Sequence, residues 1–115
     1  MKKKKIYIAG KVTGEPVHST ALKFAMAKKE VESLGFEAIN PIELVGDFRT
    51  PWDTAMRICI KALMDCDAVV LLPDWANSKG AMFEHEIAER LEMPIFNASK
   101  GGLAVMKSNS TSWNS

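Results

Sequence analysis

Glu84 is the residue whose type and position most invite chemistry. Wound at about 100° per residue, Ser78 through Glu92 places Gly80, Ala81, Ile87, Ala88 and Leu91 in one apolar stripe, with Glu84 in its middle. Lys79, Glu86, Glu89 and Arg90 take the opposite side, as solvated charges should. A buried, unpaired carboxylate is costly, and its pKa rises. Such a group is either paired with a lysine or arginine from elsewhere or used.

The residues before Glu84 point to a ligand. Asp67-Ala-Val-Val-Leu-Leu-Pro73 reads as a buried parallel strand. It runs into the polar loop Asp74-Trp-Ala-Asn-Ser-Lys-Gly80 and then into the Glu84 helix. Ligands of open α/β sheets bind beyond the carboxyl ends of the strands, where helix N-termini offer free N–H groups. Ser78 and Gly80 sit where a phosphate or sugar could be held, although a serine there also serves simply as a helix cap. Asp74, Trp75 and Asn77 belong to the same loop. Trp75 is a candidate to stack on a base or ribose, or else a packing residue.

Other elements must position these groups. Lys5–Ala9 reads as a first strand, followed by the loop Gly10-Lys-Val-Thr-Gly-Glu-Pro16 at the same sheet edge as the Glu84 loop. Its two glycines suit positive φ or close approach of backbone to a ligand. The spacing is not that of a Walker A loop. Ser19 or Thr20 is expected to cap a helix reaching about Leu34, with Ala21, Phe24, Ala25, Ala27, Val31 and Leu34 inward. Phe36–Ile39 reads as a second strand and Pro41–Val45 as a short helical turn. Thr50 is expected to cap a helix with Pro51 at its first position, carrying Ala55, Met56, Cys59, Ala62 and Leu63 inward to about Met64. A last strand is expected at Pro94–Asn97. Alternating strands and helices predict an α/β, three-layer, flavodoxin- or Rossmann-like parallel sheet of about four to five strands with helices on both faces.

Composition narrows the class. The 115 residues suit one domain, and a formal charge of +1 excludes a strongly basic surface. Lys2 to Lys5 form a local exception that lacks interleaved aromatics, so no nucleic-acid partner is expected. No stretch is long enough to span a membrane, and the apolar run after the lysines is too short for a signal peptide. A cytoplasmic protein with reduced thiols is expected, Cys59 and Cys66 being core residues. His85-Glu86-Ile-Ala-Glu89 lacks the second histidine of a zinc-protease helix, so no metal and no cofactor are expected. Composition changes after residue 98. Residues 1–98 read as the domain and 99–115 as a polar, flexible tail in which Leu103 to Met106 could form one apolar turn.

Three segments carry a resemblance: Tyr7-Ile-Ala-Gly10-Lys-Val-Thr-Gly14, Cys66-Asp67-Ala-Val-Val-Leu-Leu-Pro-Asp-Trp75, and Ser78-Lys-Gly-Ala-Met-Phe-Glu84. Together they resemble the nucleoside 2-deoxyribosyltransferase-like superfamily, in particular its small bacterial and phage proteins and the 2′-deoxynucleoside 5′-phosphate N-hydrolases. The resemblance implies cleavage of the base–sugar bond of a nucleoside 5′-monophosphate, with Glu84 as nucleophile and a covalent glycosyl intermediate. It implies that Tyr7 orients Glu84 and that Ser78 binds the 5′-phosphate. Gly10 and Gly14 would shape the pocket, and backbone N–H groups of Lys11 to Thr13 would touch phosphate or base. It also implies a homo-oligomer. Two positions depart from the pattern. Ser78 stands where the transferases have an aspartate, which favours a phosphorylated ligand. Cys59 falls near the family's second acid, with Asp53 and Asp74 as possible substitutes. A nucleotide-binding or sensing module without chemistry is the alternative, and a scaffold with Glu84 in an ion pair is a third reading.

Overall fold

A computed structural model describes residues 2–108. Strand β1 (Lys5–Ala9) is followed by α1 (Val17–Ser33), β2 (Glu37–Ile39), α2 (Pro41–Val45), α3 (Trp52–Met64), β3 (Ala68–Leu71), α4 (Lys79–Arg90), β4 (Ile95–Asn97) and α5 (Gly102–Ser108). The strands form one parallel sheet in the order β2-β1-β3-β4, with Tyr7 beside Val69 and Ala9 beside Leu71. The chain leaves β1 toward one edge and returns to the other, so β1 and β3 flank the topological switch point.

Period-two alternation sorts the strand residues between two layers. Ile6, Ile8, Ala68 and Val70 pack with Phe24 and Val31 of α1 and Met106 of α5. Tyr7, Ala9, Val69 and Leu71 face the other way, against Cys59 and Leu63 of α3 and Ala81 and Ala88 of α4. The result is the expected three-layer α/β fold. Among the described residues no helix is long and apolar enough to cross a membrane.

Helix starts differ from expectation at two places. Helix α1 begins at Val17, after an extended Pro16 (φ −60°, ψ 136°), with no side-chain cap. Ser19 is thus already inside the first turn, where its hydroxyl donates to the Pro16 carbonyl at 3.3 Å. Thr20 is buried instead. At α3 the extended residue is Pro51 itself, so Thr50 lies outside the helix and caps nothing. Two side chains placed inward face solvent. Ala25 is exposed because it stands about 100° round the helix from Phe24. Leu91 is 57% exposed because α4 ends at Arg90 and the chain turns away through Glu92 at φ 57°.

The expected apolar turn near Leu103 is a helix, α5, and Met106 is fully buried against the α1 layer. Lys107 Nζ donates to the Leu34 carbonyl at 2.9 Å. The packed body therefore runs past residue 98. The polar segment 109–115 lies outside the described residues.

Candidate active site

At the carboxyl end of β1, a cavity of about 700 Å3 opens between the Gly10–Pro16 loop, the α2–α3 connection and the start of α4. Glu84 and Tyr7 lie in its wall. Glu84 is only 5% exposed, because it projects from the face of α4 that also buries Ala81 and Ala88. Its partner comes from the strand beneath: the Tyr7 hydroxyl donates to Glu84 Oε2 at 2.5 Å. No cation pairs with Glu84 among the described residues; the partner they supply is the Tyr7 phenol.

Burial pushes the Glu84 carboxyl up to about 7, against the opposing pull of the Tyr7 hydrogen bond. Tyr7 is itself held well above the usual phenol range by burial, then by Glu84 and Cys59. The phenol therefore stays protonated and donates. Cys59, projecting from α3 beside Tyr7, is pushed up to about 11, chiefly by burial. This thiol is not an effective acid at neutral pH.

Ser78 caps α4 as expected, its Oγ accepting from the Ala81 N–H at 3.1 Å. The hydroxyl proton remains for a ligand, and the first N–H groups of α4, at Lys79 and Gly80, have no intrahelical partner. Ser78, Lys79, Gly80 and Asn77 all line the cavity. Across it stand Lys11, Thr13 and Gly14. Gly14 takes φ +82° at the third position of a turn closed by Glu15 N–H to Val12 O. Gly10 is a glycine for another reason: a Cβ there would meet Leu72 at 2.8 Å. Its smallness serves packing behind the loop.

Two predicted contacts are placed elsewhere. Asp74 accepts from the Lys11 N–H at 3.0 Å and from Lys23 Nζ at 2.5 Å. Partial burial raises this carboxyl, but those bonds outweigh it and hold Asp74 below the usual range. Asp74 therefore ties the first loop to the end of β3, and the Lys11 N–H is spent on it. Trp75 turns to the other side of α4, where it packs on His85 with ring centroids 4.4 Å apart. Asp53 is exposed on the first turn of α3 and does not line the cavity.

Besides Tyr7, the aromatic residues that line it are Phe48 and Trp52, together with Asp47, Met56 and Cys59. Nothing in the sequence marks Phe48 or Asp47 as cavity residues. Their segment, Gly46–Pro51, reads as an ordinary loop, and only the crossover to β3 brings it over β1.

Residues 4–97 match the model of a family described as a domain of unknown function, DUF4406. The chain belongs to that family. No curated protein matches it. The matched span contains Tyr7, Cys59, Ser78 and Glu84, so the whole candidate site of this DUF4406 chain lies within the family domain.

Proposed function

We propose that this chain is an N-glycosidase of nucleoside 5′-monophosphates that works through a glutamyl intermediate on Glu84. The observation that carries this reading is a single arrangement. A buried carboxyl is held by a phenol in the wall of a nucleotide-sized cavity, next to a serine-capped helix N-terminus. Cavities of roughly 300–1,000 Å3 suit small-molecule ligands. The phosphate would take the Ser78 hydroxyl and the first N–H groups of α4, with Lys11 and Lys79 adding positive charge.

With Oε2 fixed by Tyr7, Glu84 Oε1 would attack the anomeric carbon while the bond to the base breaks. Water would then displace the carboxylate, or a second base would, giving transfer. The resemblance to nucleoside 2-deoxyribosyltransferases supports the same assignment of Glu84, Tyr7 and Ser78. On this reading the partner is a small nucleotide in the cytoplasm, and the protein assembles as a homo-oligomer.

One observation favours a binding or sensing module instead. Cys59 falls near the position at which the resembled family carries its second acid, and its thiol, raised to about 11 by burial, is a poor proton donor. Base release from a panel of nucleoside 5′-monophosphates separates the two readings, with nucleotide binding followed in parallel. Release by the wild type and its loss in Glu84→Ala is the expected result. Binding without release would assign the chain to the sensing class.

A further inference from the structure

The cavity holds a candidate nucleophile and a seat for phosphate, but among its described lining residues no carboxylic acid is free to protonate a departing base, and the ammonium groups of Lys11 and Lys79 are taken up by the phosphate on the reading above. Among its described lining residues the carboxyl groups are Glu84, Glu15 and Asp47. Glu84 is taken by the attack, and Glu15 sits on the outer loop, 4.0 Å from Lys11. Asp47 accepts from the Arg49 backbone and guanidinium, which hold it below the ordinary carboxylate range. Cys59 is far weaker than a carboxylic acid. Neither histidine lines the cavity, His85 being stacked on Trp75 outside it.

An ordinary purine or pyrimidine leaves as an anion unless it gains a proton as it departs. A positioned general acid contributes roughly 10²- to 10⁴-fold to such a step. A base that already carries positive charge leaves as a neutral molecule and needs no proton. The walls also suit a cationic ring. Phe48, Trp52 and Asp47 all line the cavity, and the Trp52 ring holds a cation, Lys79 Nζ, 4.2 Å from its centroid, as a ring of this kind does.

Resting on the glycosidase reading, we propose that the substrates are 5′-mononucleotides whose base is a cation, an N-glycosylated pyridinium or an N7-alkylated purine. A lone pair of Glu84 Oε1 forms the bond to the anomeric carbon. The C–N bond breaks, and its electron pair neutralises the ring nitrogen. Water then attacks the anomeric carbon and the C–O bond to Glu84 breaks, regenerating the carboxylate. The net change is cationic nucleotide plus water to sugar phosphate, neutral base and one proton, so no other reactant is required.

The test compares kcat/KM for nicotinamide mononucleotide and 7-methylguanosine 5′-monophosphate with GMP and dUMP, in the wild type and Glu84→Ala. The two cationic probes also distinguish a pyridinium from a purine preference. The expected ratio of cationic to neutral substrates is about 100-fold or more, with release lost in Glu84→Ala. Cationic bases leave more readily in any environment, so a second readout is the wild-type pH profile. It should stay flat from pH 8 to 9.5 for nicotinamide mononucleotide, whose ring stays cationic throughout; 7-methylguanosine 5′-monophosphate, which loses its N1 proton near neutrality, is compared on the acid side of neutrality. Glu84-dependent release of neutral nucleotides at equal rates, or an alkaline fall revealing a general acid, would overturn the substrate class and leave the glycosidase reading standing. No release from any of the four would overturn both.

Discussion

On one face of the sheet, Ile6, Ile8 and Val70 meet Phe24, Val31 and Met106 in an aliphatic and aromatic layer. On the other face the same strands turn Tyr7, Ala9 and Leu71 toward Cys59, Ala81 and Ala88, and a carboxyl group lies among them. Adjacent residues of β1 therefore do different work. Ile6 and Ile8 contribute burial, whereas Tyr7 spends its burial on fixing Glu84. Strand alternation thus separates the apolar layer from the candidate site, with the α3/α4 layer carrying the cost of a desolvated acid.

Damage confined to the apolar face breaks the comparison most severely. Phe24→Ala should lower unfolding free energy by about 3–5 kcal/mol through lost burial and a cavity, measured by denaturant titration. Whatever folded protein remains should keep the wild-type pH dependence of its site.

Glu84 sharpens the contrast through proton linkage. Its carboxyl rises from an ordinary 4.5 to about 7 on folding. Below pH 4.5 it is protonated in both states, and the folded state carries no buried charge. Between pH 4.5 and about 7 the unfolded state ionises it while the folded state keeps it protonated, so this group's favourable contribution is lost progressively, by about 3 kcal/mol once pH passes the folded value. Glu84→Gln removes that dependence. The stability difference between variant and wild type should therefore grow in the variant's favour from pH 5 to pH 8, as urea unfolding at each pH would show.

Tyr7→Phe has a smaller effect with a defined sign. The Tyr7 hydrogen bond lowers the Glu84 carboxyl against the rise from burial, so its loss should push Glu84 above 7. The acid limb of the base-release profile should shift to higher pH. Activity at pH 7 should drop about tenfold, consistent with loss of one hydrogen bond to a charged group. An unmoved limb would mean that Tyr7 does not tune Glu84.

Much of this contrast is legible in the sequence because it breaks a local pattern. Glu84 interrupts an apolar period that Ala81 and Ala88 otherwise keep, and Ser78 stands where a cap belongs. Strand β1 alternates visibly once Tyr7 is set apart from its aliphatic neighbours. The rest depends on contacts between distant residues. Lys23 claims Asp74 from 51 positions away, and no local signal announces that pairing. Trp75 and Trp52 look alike as loop-edge aromatics, yet the direction of the chain into α4 and α3 sends only Trp52 to the cavity. Helix α5 is short and its flanks are polar, so its single deep anchor, Met106, gives no periodic signal.

The most direct measurement is intact-protein and peptide mass spectrometry after incubation with a 2-fluoro-arabinosyl nucleoside 5′-monophosphate, whose fluorine slows breakdown of a glycosyl-enzyme. A sugar-phosphate adduct is expected on the peptide containing Glu84, absent in Glu84→Gln. Base release without an adduct on Glu84, or an adduct on another residue, would contradict Glu84 as the nucleophile.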